Sequence, residues 1–287
     1  MKRLIYDVFE ARELLSNLIS QVETASDLVF FGGAGVSTAS GIPDFRGSGG
    51  LYATQDAYAD KNYSAYPAEY LLSHSCLVNE PQYFYEFYID SVVYPEAKPN
   101  AAHYALAQLE DEGKLGALIT QNIDGLHQKA GSKRVIELHG SCSNNYCMSC
   151  GKNYSQEEFL KLCTEPGAFE SGGLEPELSF DDKILIPHCK SCSALLRPDI
   201  VLYEEALDQE KIIAALQAIE QARFLLVAGS SLSVYPAAGF IRYFRGERLV
   251  IINLDETGHD ELADTIIRCP IAEVLDIEVV HHGSRKN

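Results

Sequence analysis

Apolar residues along this chain gather into short runs with little alternation. Residues 28–31 (LVFF), 117–120 (ALIT), 135–138 (VIEL), 224–228 (FLLVA) and 249–253 (LVIIN) are nearly continuous in apolarity and rich in Val, Ile or Leu. Such strands are buried on both faces, as in a parallel sheet covered by helices. Between them the apolar period lengthens. It predicts helices over 10–24, with Leu14, Leu15 and Leu18 on one face, and over 81–93, 100–112, 208–221 and 236–244. Pro81 and Pro236 suit a first helical turn, where a missing N–H costs little. The first run stops at Gly32-Gly33, a strand running into a glycine turn. This alternation predicts an α/β fold built on a doubly wound parallel sheet.

Between Leu138 and Ile200 the pattern breaks. The stretch holds a Gly/Glu/Pro-rich run at 165–177 and two C-x-x-C pairs, Cys147 with Cys150 and Cys189 with Cys192. Each pair can give two thiolates to one ion, and two pairs complete a tetrahedral site. Four thiolates leave no open coordination position, so the expected zinc is structural. A redox C-x-x-C would explain one pair but not both. Cys142 and Cys163 have no partner at that spacing, and His188 beside Cys189 is an alternative ligand or a surface histidine. Residues 138–199 therefore read as a smaller zinc-binding domain inserted into a discontinuous larger one, 1–137 and 200–287. Part of 45–100 is expected to add a helical segment to the smaller domain.

Composition narrows the partners. The formal net charge of −18 repels a phosphate backbone, so no direct nucleic-acid partner is expected; it either favours lysine-rich peptides or simply keeps the protein soluble. The apolar runs are too short to span a bilayer, and Asp7 interrupts the only candidate leader, so the expected setting is the cytoplasm without a membrane.

The glycine turn continues as Gly33-Ala34-Gly35-Val36-Ser37, where glycines permit a tight turn and close approach of backbone N–H groups to a pyrophosphate. Thr38 stands where the dehydrogenase fingerprint needs its third glycine, which disfavours hydride transfer. Further blocks follow in order: GAGVSTASGIPDFRG at 33–47, TQNIDGLH at 120–127, ELHG at 137–140, the two cysteine pairs, RPDIV at 197–201, GSSL at 229–232 and INLD at 252–255. With these blocks, which span nearly the whole chain, the sequence resembles the sirtuin family of NAD-dependent protein deacylases.

The resemblance implies a Rossmann-like domain and a small zinc-bearing one, with NAD and acyl-lysine meeting between them. It assigns Gly33, Ala34, Gly35 and Ser37 to the diphosphate and adjoining ribose, and Asp44, Phe45 and Arg46 to a mobile cofactor loop. Gln121, Asn122, Ile123 and Asp124 would hold the nicotinamide and its ribose, with Asn122 also catalytic. Gly229, Ser230 and Ser231 would meet the cofactor at the carboxyl edge of the sheet, and Asn253 and Asp255 its adenosine ribose. His139 takes the place of the general base that deprotonates a ribose hydroxyl for attack on an imidate, work that suits a group titrating near neutrality. Val201, Tyr203 and Glu204 fall where the substrate peptide adds a strand. Read without the family, Asn122 and Asp124 are also good helix caps, and His74, His103 and His127 read as structural or exposed.

Acyl preference and two departures from the family pattern, at Glu204 and Tyr235, bear on specificity. Branches that take succinyl or malonyl groups carry a Tyr-x-x-Arg pair, but here no arginine lies between Arg46 and Arg134. The region instead holds Tyr52, Tyr58, Tyr63, Tyr66 and Tyr70, and Lys61 is its only cation before Lys98. A neutral acyl group such as acetyl is expected. Glu204 stands where the family carries glycine and would favour basic neighbours of the target lysine, with Tyr235 as a second specificity element. The alternatives are a protein ADP-ribosyltransferase using the same NAD site and a non-catalytic NAD-binding protein.

Overall fold

In the computed structural model, residues 3–45, 47, 50, 61–165 and 184–284 are described. Arg46, Tyr52, Tyr58 and most of the run 165–177 lie outside them. In chain order the elements are β1 (Arg3–Ile5), α1 (Val8–Ser20), β2 (Leu28–Gly32), α2 (Ala68–Leu71), α3 (His74–Asn79), α4 (Pro81–Ser91), α5 (Ala101–Asp111), β3 (Ala117–Thr120), α6 (Leu126–Lys129) and β4 (Val135–Glu137). There follow β5 (Gly140–Cys147), β6 (Asn153–Ser155), α7 (Gln156–Thr164), β7 (Leu196–Ile200), α8 (Gln209–Gln221), β8 (Phe224–Ala228), β9 (Arg248–Ile252), β10 (Thr265–Ile267), α9 (Ile271–Val274) and α10 (Ile277–Ser284). They fall into two units, one drawn from Met1–Gly47, Glu96–Leu138 and Leu207–Asn287, the other from Ser48–Pro95 and His139–Ala206.

The first unit is built on a seven-stranded sheet in the order β1-β10-β9-β8-β2-β3-β4, every pair parallel. The five apolar runs become β2, β3, β4, β8 and β9, with all residues of β2, β3 and β8 buried. From β2 the chain steps outward through β3 and β4, then returns to β8 on the other flank and steps outward again. The sheet is thus doubly wound and Rossmann-like. Its winding reverses between β2 and β8, and at such a switch point a crevice opens beyond the carboxyl ends of the strands. Gly33 and Gly229 each follow one of these two strands. Leu15, Leu18, Phe30, Leu106, Leu118, Leu226 and Val250 belong to one aliphatic-rich core.

Asp7 caps α1 by accepting the Glu10 amide, and Asp208 caps α8 by accepting those of Glu210 and Lys211. The helix expected over 236–244 is instead a 3₁₀ stretch, Ala237–Tyr243. Gly239 lies inside it, and the Gly239 amide reaches back only three residues to the Pro236 carbonyl.

In the second unit the stretch that lacks strand periodicity contains a three-stranded antiparallel sheet, β6-β5-β7. Its core is ringed with aromatics. Phe84 stacks on Tyr88 at 5.7 Å between centroids, and Phe159 meets both Tyr85 and Tyr88 at 6.2 Å.

Candidate active site and metal centre

At the switch point the chain leaves β2 through two 3₁₀ turns, Ala34–Val36 and Thr38–Ser40, with Ser37 between them. The glycines here also let two loops pack closely. A Cβ at Gly35 would lie 2.7 Å from the Gly229 Cα, and one at Gly33 would lie 2.8 Å from the Gly229 carbonyl oxygen. The Gly35 amide donates to that same oxygen at 2.7 Å. Gly229 has φ +59, a conformation that costs glycine nothing. The loops after β2 and β8 are pressed together along their backbones, and side chains would force them apart.

Ser37, 1% exposed, joins this pair of loops to a third. Its Oγ donates to Asp124 Oδ2 at 2.6 Å and accepts from Asn122 Nδ2 at 3.1 Å. Asp124 also accepts the Leu126 amide through Oδ1 at 2.8 Å, so it braces the turn that enters α6 and grips Ser37 with separate oxygens. The Asn122 amide donates to Thr120 Oγ1, and the Gln121 amide to the Gly32 carbonyl. Ser230 donates to Gln121 Oε1 at 3.2 Å, closing the circuit between β8 and β3. Gly33, Gly35, Ser37, Gln121, Asn122, Asp124, Gly229 and Ser230 are therefore one hydrogen-bonded and close-packed group. Ala34 and Ile123 lie half-buried within the same segments.

The remaining residues of the expected cofactor set make more local contacts. Asn253 follows β9, and its Nδ2 donates to the Asp255 carbonyl while the Asp255 side chain is exposed. Ser231 shares a hydrogen bond with Ser233. Asp44 accepts the Gly47 amide at 2.9 Å, and Phe45 is half-buried.

His103 and His127 are buried, not exposed, with ring centroids 4.7 Å apart. Burial pushes both below the usual histidine range, His103 to about 4 and His127 to about 3. They are neutral at physiological pH. His103 Nδ1 accepts the Asn100 amide, which places its proton on Nε2.

His139 opens this segment of the second unit, two residues past the end of β4. Its carbonyl accepts the Val201 amide at 2.9 Å. Gly140 beside it has φ +77, and a Cβ there would collide with the Asp199 carbonyl oxygen. β5 and β7 therefore approach so closely at this point that only glycine fits next to the histidine, whose ring is on a half-buried residue.

Val201, Tyr203 and Glu204 continue from β7. The Tyr203 amide donates to the Leu72 carbonyl and its carbonyl accepts the His74 amide. The Leu202 amide donates to Glu205. Glu204 is left-handed, with φ +76, and its Oε2 accepts the Ser75 amide at 2.9 Å and the Ser75 hydroxyl at 2.7 Å. Behind the segment, Arg197, 6% exposed, holds Glu205 with both terminal guanidinium nitrogens at 2.5 and 2.9 Å. Burial raises the Glu205 carboxyl, but Arg197 and the Leu202 amide outweigh it and bring it down to about 2. Both residues lie in or beside a recognisable block, but nothing in the motif signals that they form a buried pair.

The four cysteines of the two knuckles converge. All four Sγ atoms lie within 4.8 Å of one another, with Cys147–Cys192 at 3.4 Å and Cys150–Cys189 at 3.6 Å. Four sulfurs each 2.3 Å from a tetrahedral zinc stand about 3.8 Å apart, so the tetrad fits that ion. Gly151 and Ser193, one residue past each pair, both turn through positive φ. The Ser149 and Cys150 amides donate to Cys147 Sγ, and the Ser191 amide and Tyr154 hydroxyl to Cys189 Sγ. Burial raises the Cys189 thiol, yet these donors bring it down to about 6. His188 Nδ1 lies 3.0 Å from the Ser193 carbonyl and stands outside the tetrad.

Comparison with known proteins aligns with this geometry. The family described as "Sir2 family" matches residues 33–236. An "NAD-dependent protein deacetylase" of Clostridium acetobutylicum is 47% identical over 262 residues, 91% of this chain and 96% of that protein. A solved structure described as "Sir2-p53 peptide-NAD+" superposes with a TM-score of 0.73 at 36% identity, covering 95% of this chain and 98% of the other. A second, a "Sir2 homolog-NAD complex", gives 0.75 at 33% identity and covers 100% and 97%.

Proposed function

The chain belongs to the Sir2 family, and from that premise we propose that it is an NAD-dependent protein-lysine deacetylase whose general base is His139. The observation that carries the cofactor half of this reading is the Ser37 group. It draws the loops after β2, β3 and β8 together at the switch point of a doubly wound sheet, the place where such sheets take nucleotides. NAD, when bound, supplies the ADP-ribosyl group that accepts the acyl group as nicotinamide leaves.

The chain's own residues divide the remaining work. Gly33, Ala34, Gly35 and Ser37, with Gly229, Ser230 and Ser231, line the diphosphate and its ribose. Asp44, Phe45 and Arg46 form the cofactor loop, and Asn253 and Asp255 serve the adenosine ribose. Gln121, Asn122, Ile123 and Asp124 hold the nicotinamide side. Asn122 Nδ2 gives one of its two N–H groups to Ser37, which fixes the orientation of the amide. His139 takes the proton of a ribose hydroxyl, and its backbone is anchored by the Val201 amide beside the close approach at Gly140. Cys147, Cys150, Cys189 and Cys192 hold a zinc that orders the second unit and takes no part in the chemistry.

Val201, Tyr203 and Glu204 receive an acyl-lysine peptide. A neutral acyl group is the substrate, since no arginine between Arg46 and Arg134 is there to meet a carboxylate and Lys61 is paired with Asp90 at 2.6 Å. The net charge of −18 favours basic peptides over nucleic acid. No helix of the described residues is long and apolar enough to cross a membrane. A cytoplasmic setting suits thiolates reserved for a metal.

The test is mass spectrometry of an acetyl-lysine peptide incubated with the protein, with and without NAD, beside a His139→Ala variant. The expected result is acetyl loss only with NAD, release of nicotinamide and O-acetyl-ADP-ribose, and a rate at least about 100-fold lower in the variant. ADP-ribose appearing on protein while acetyl stays in place would favour a transferase. NAD bound but never cleaved would favour a binding protein.

A further inference from the structure

Asn100 belongs to none of the sequence blocks that mark the site, yet every polar atom of its side chain is spent near it. Its Oδ1 accepts the Ala102 amide at 3.0 Å and so caps α5, while its own amide donates to His103 Nδ1 at 3.2 Å. Its Nδ2 points the other way. It donates to the Val36 carbonyl at 2.8 Å and to Ser40 Oγ at 3.0 Å.

These two acceptors flank Ser37. Val36 immediately precedes it and ends the first 3₁₀ turn. Ser40 ends the second turn, and its amide donates back to the Ser37 carbonyl at 2.9 Å. One planar amide thus ties the start of a packed helix to both sides of the residue that gathers Asn122 and Asp124.

We infer that Asn100 is a positioning residue for the cofactor site. It fixes the two turns so that Ser37 presents its hydrogen bonds in one register, and it acts through Val36 and Ser40 without touching the cofactor. The inference rests on the reading of this crevice as the NAD site.

A helix cap and a loop anchor make opposite demands, and aspartate separates them. Asp is as good an N-cap as Asn, because capping uses only the side-chain oxygen. It has no N–H to give, and its second oxygen would face the Val36 carbonyl. If Asn100 only caps α5, Asn100→Asp is silent. If it anchors the turns, Asn100→Asp folds normally and binds NAD poorly.

The experiment uses the full chain with its zinc and measures thermal melting, Kd for NAD by calorimetry, and KM for an acetyl-lysine peptide. For Asn100→Asp the expected result is melting within about 3 °C of wild type, Kd for NAD raised about tenfold and peptide KM within twofold, in keeping with loss of about one net hydrogen bond. Ser40→Ala is the second variant. It leaves the cap intact, removes one acceptor, and should raise Kd for NAD two- to threefold. NAD affinity within 1.5-fold of wild type in both variants, or in Ser40→Ala alone should Asn100→Asp fail to fold, would overturn the role. A wild-type chain that binds no NAD would sink the cofactor reading along with it, whereas wild-type binding with unaffected variants would sink the Asn100 role alone.

Discussion

The sheet unit and the cysteine unit stabilise themselves by different means. The first buries β2, β3, β8 and β9 in one core dominated by Leu, Ile and Val, and each parallel strand supports its neighbours. The second has a short antiparallel sheet, rings packed on rings, four clustered thiols and an arginine buried against a glutamate. Its three short strands need a packed apolar face for stability, which the buried rings supply. Order in the second unit therefore combines ring packing with discrete ties that can be cut singly, while the first is held by aliphatic area. The expected cofactor residues lie in the robust unit, and His139 with the expected peptide residues lies in the tied one. NAD affinity and turnover should accordingly respond to different damage.

The sharpest break is chemical. His139→Ala should lower turnover at least about 100-fold, yet leave Kd for NAD within twofold, because the Ser37 group belongs to the other unit. An equal loss of NAD affinity would mean that the cofactor residues depend on the histidine and would dissolve the division.

Next in size is removal of the metal. Cys150→Ser, or a strong chelator, should release one zinc per chain and cost more than tenfold in activity, since metal binding in such sites is folding energy. The near-ultraviolet dichroism of the buried tyrosines, Tyr85 and Tyr88, should collapse while the far-ultraviolet signal of the parallel sheet persists. Simultaneous loss of both signals would show that the two units unfold as one.

The Arg197–Glu205 pair offers a smaller and pH-dependent cut. Its Glu205 carboxyl sits at about 2 against an ordinary 4.5, so the native state binds the proton less readily than the unfolded chain. The pair's stabilisation is thus complete above about pH 4.5, declines as pH falls, and is gone below about pH 2. Glu205→Gln should destabilise by about 3 kcal/mol at neutral pH, because Arg197 is left buried and charged. It should also flatten the acid limb of the melting-temperature profile. An unchanged acid limb would mean that other carboxylates set it.

What was legible in the sequence follows the same division. The strands of the large sheet announce themselves because burial on both faces writes an unbroken apolar run, and the cysteine tetrad because metal geometry fixes spacing. β1 and β10 are three residues each, too short for any period to register. β5 reads GSCSNNYC, and β7 carries Arg197 and Pro198, so the small sheet has no apolar signature. The glycines of the first turn are visible, but the backbone of Gly229 pressed against them comes from a loop far along the chain. Asn100 lay hidden for the same cause. An asparagine before a helix reads as a cap, and its other hand, on Val36 and Ser40, is a matter of tertiary placement.

The smallest expected effect concerns Glu204, and it bears on the tied unit's outer face. A non-glycine residue at φ +76 carries a backbone cost of about 1 kcal/mol, and two hydrogen bonds from Ser75 to Oε2 offset it. Oε1 takes no part in them and belongs to an exposed residue, so the segment presents a negative oxygen beside the expected peptide strand. Glu204→Gly should leave melting within about 2 °C, since strain and hydrogen bonds vanish together. Its reading is in substrate choice. KM for an acetyl-lysine peptide with adjacent arginines should rise about threefold, and KM for a neutral peptide should not change, the size of one solvent-exposed charge contact. Raising the salt concentration should erase the difference between the two peptides in wild type and leave the variant unmoved. A variant that loses both peptides equally would make Glu204 a brace for α3 and nothing more, and its carboxylate would join Arg197 and the cysteines among the ties that hold the second unit in shape.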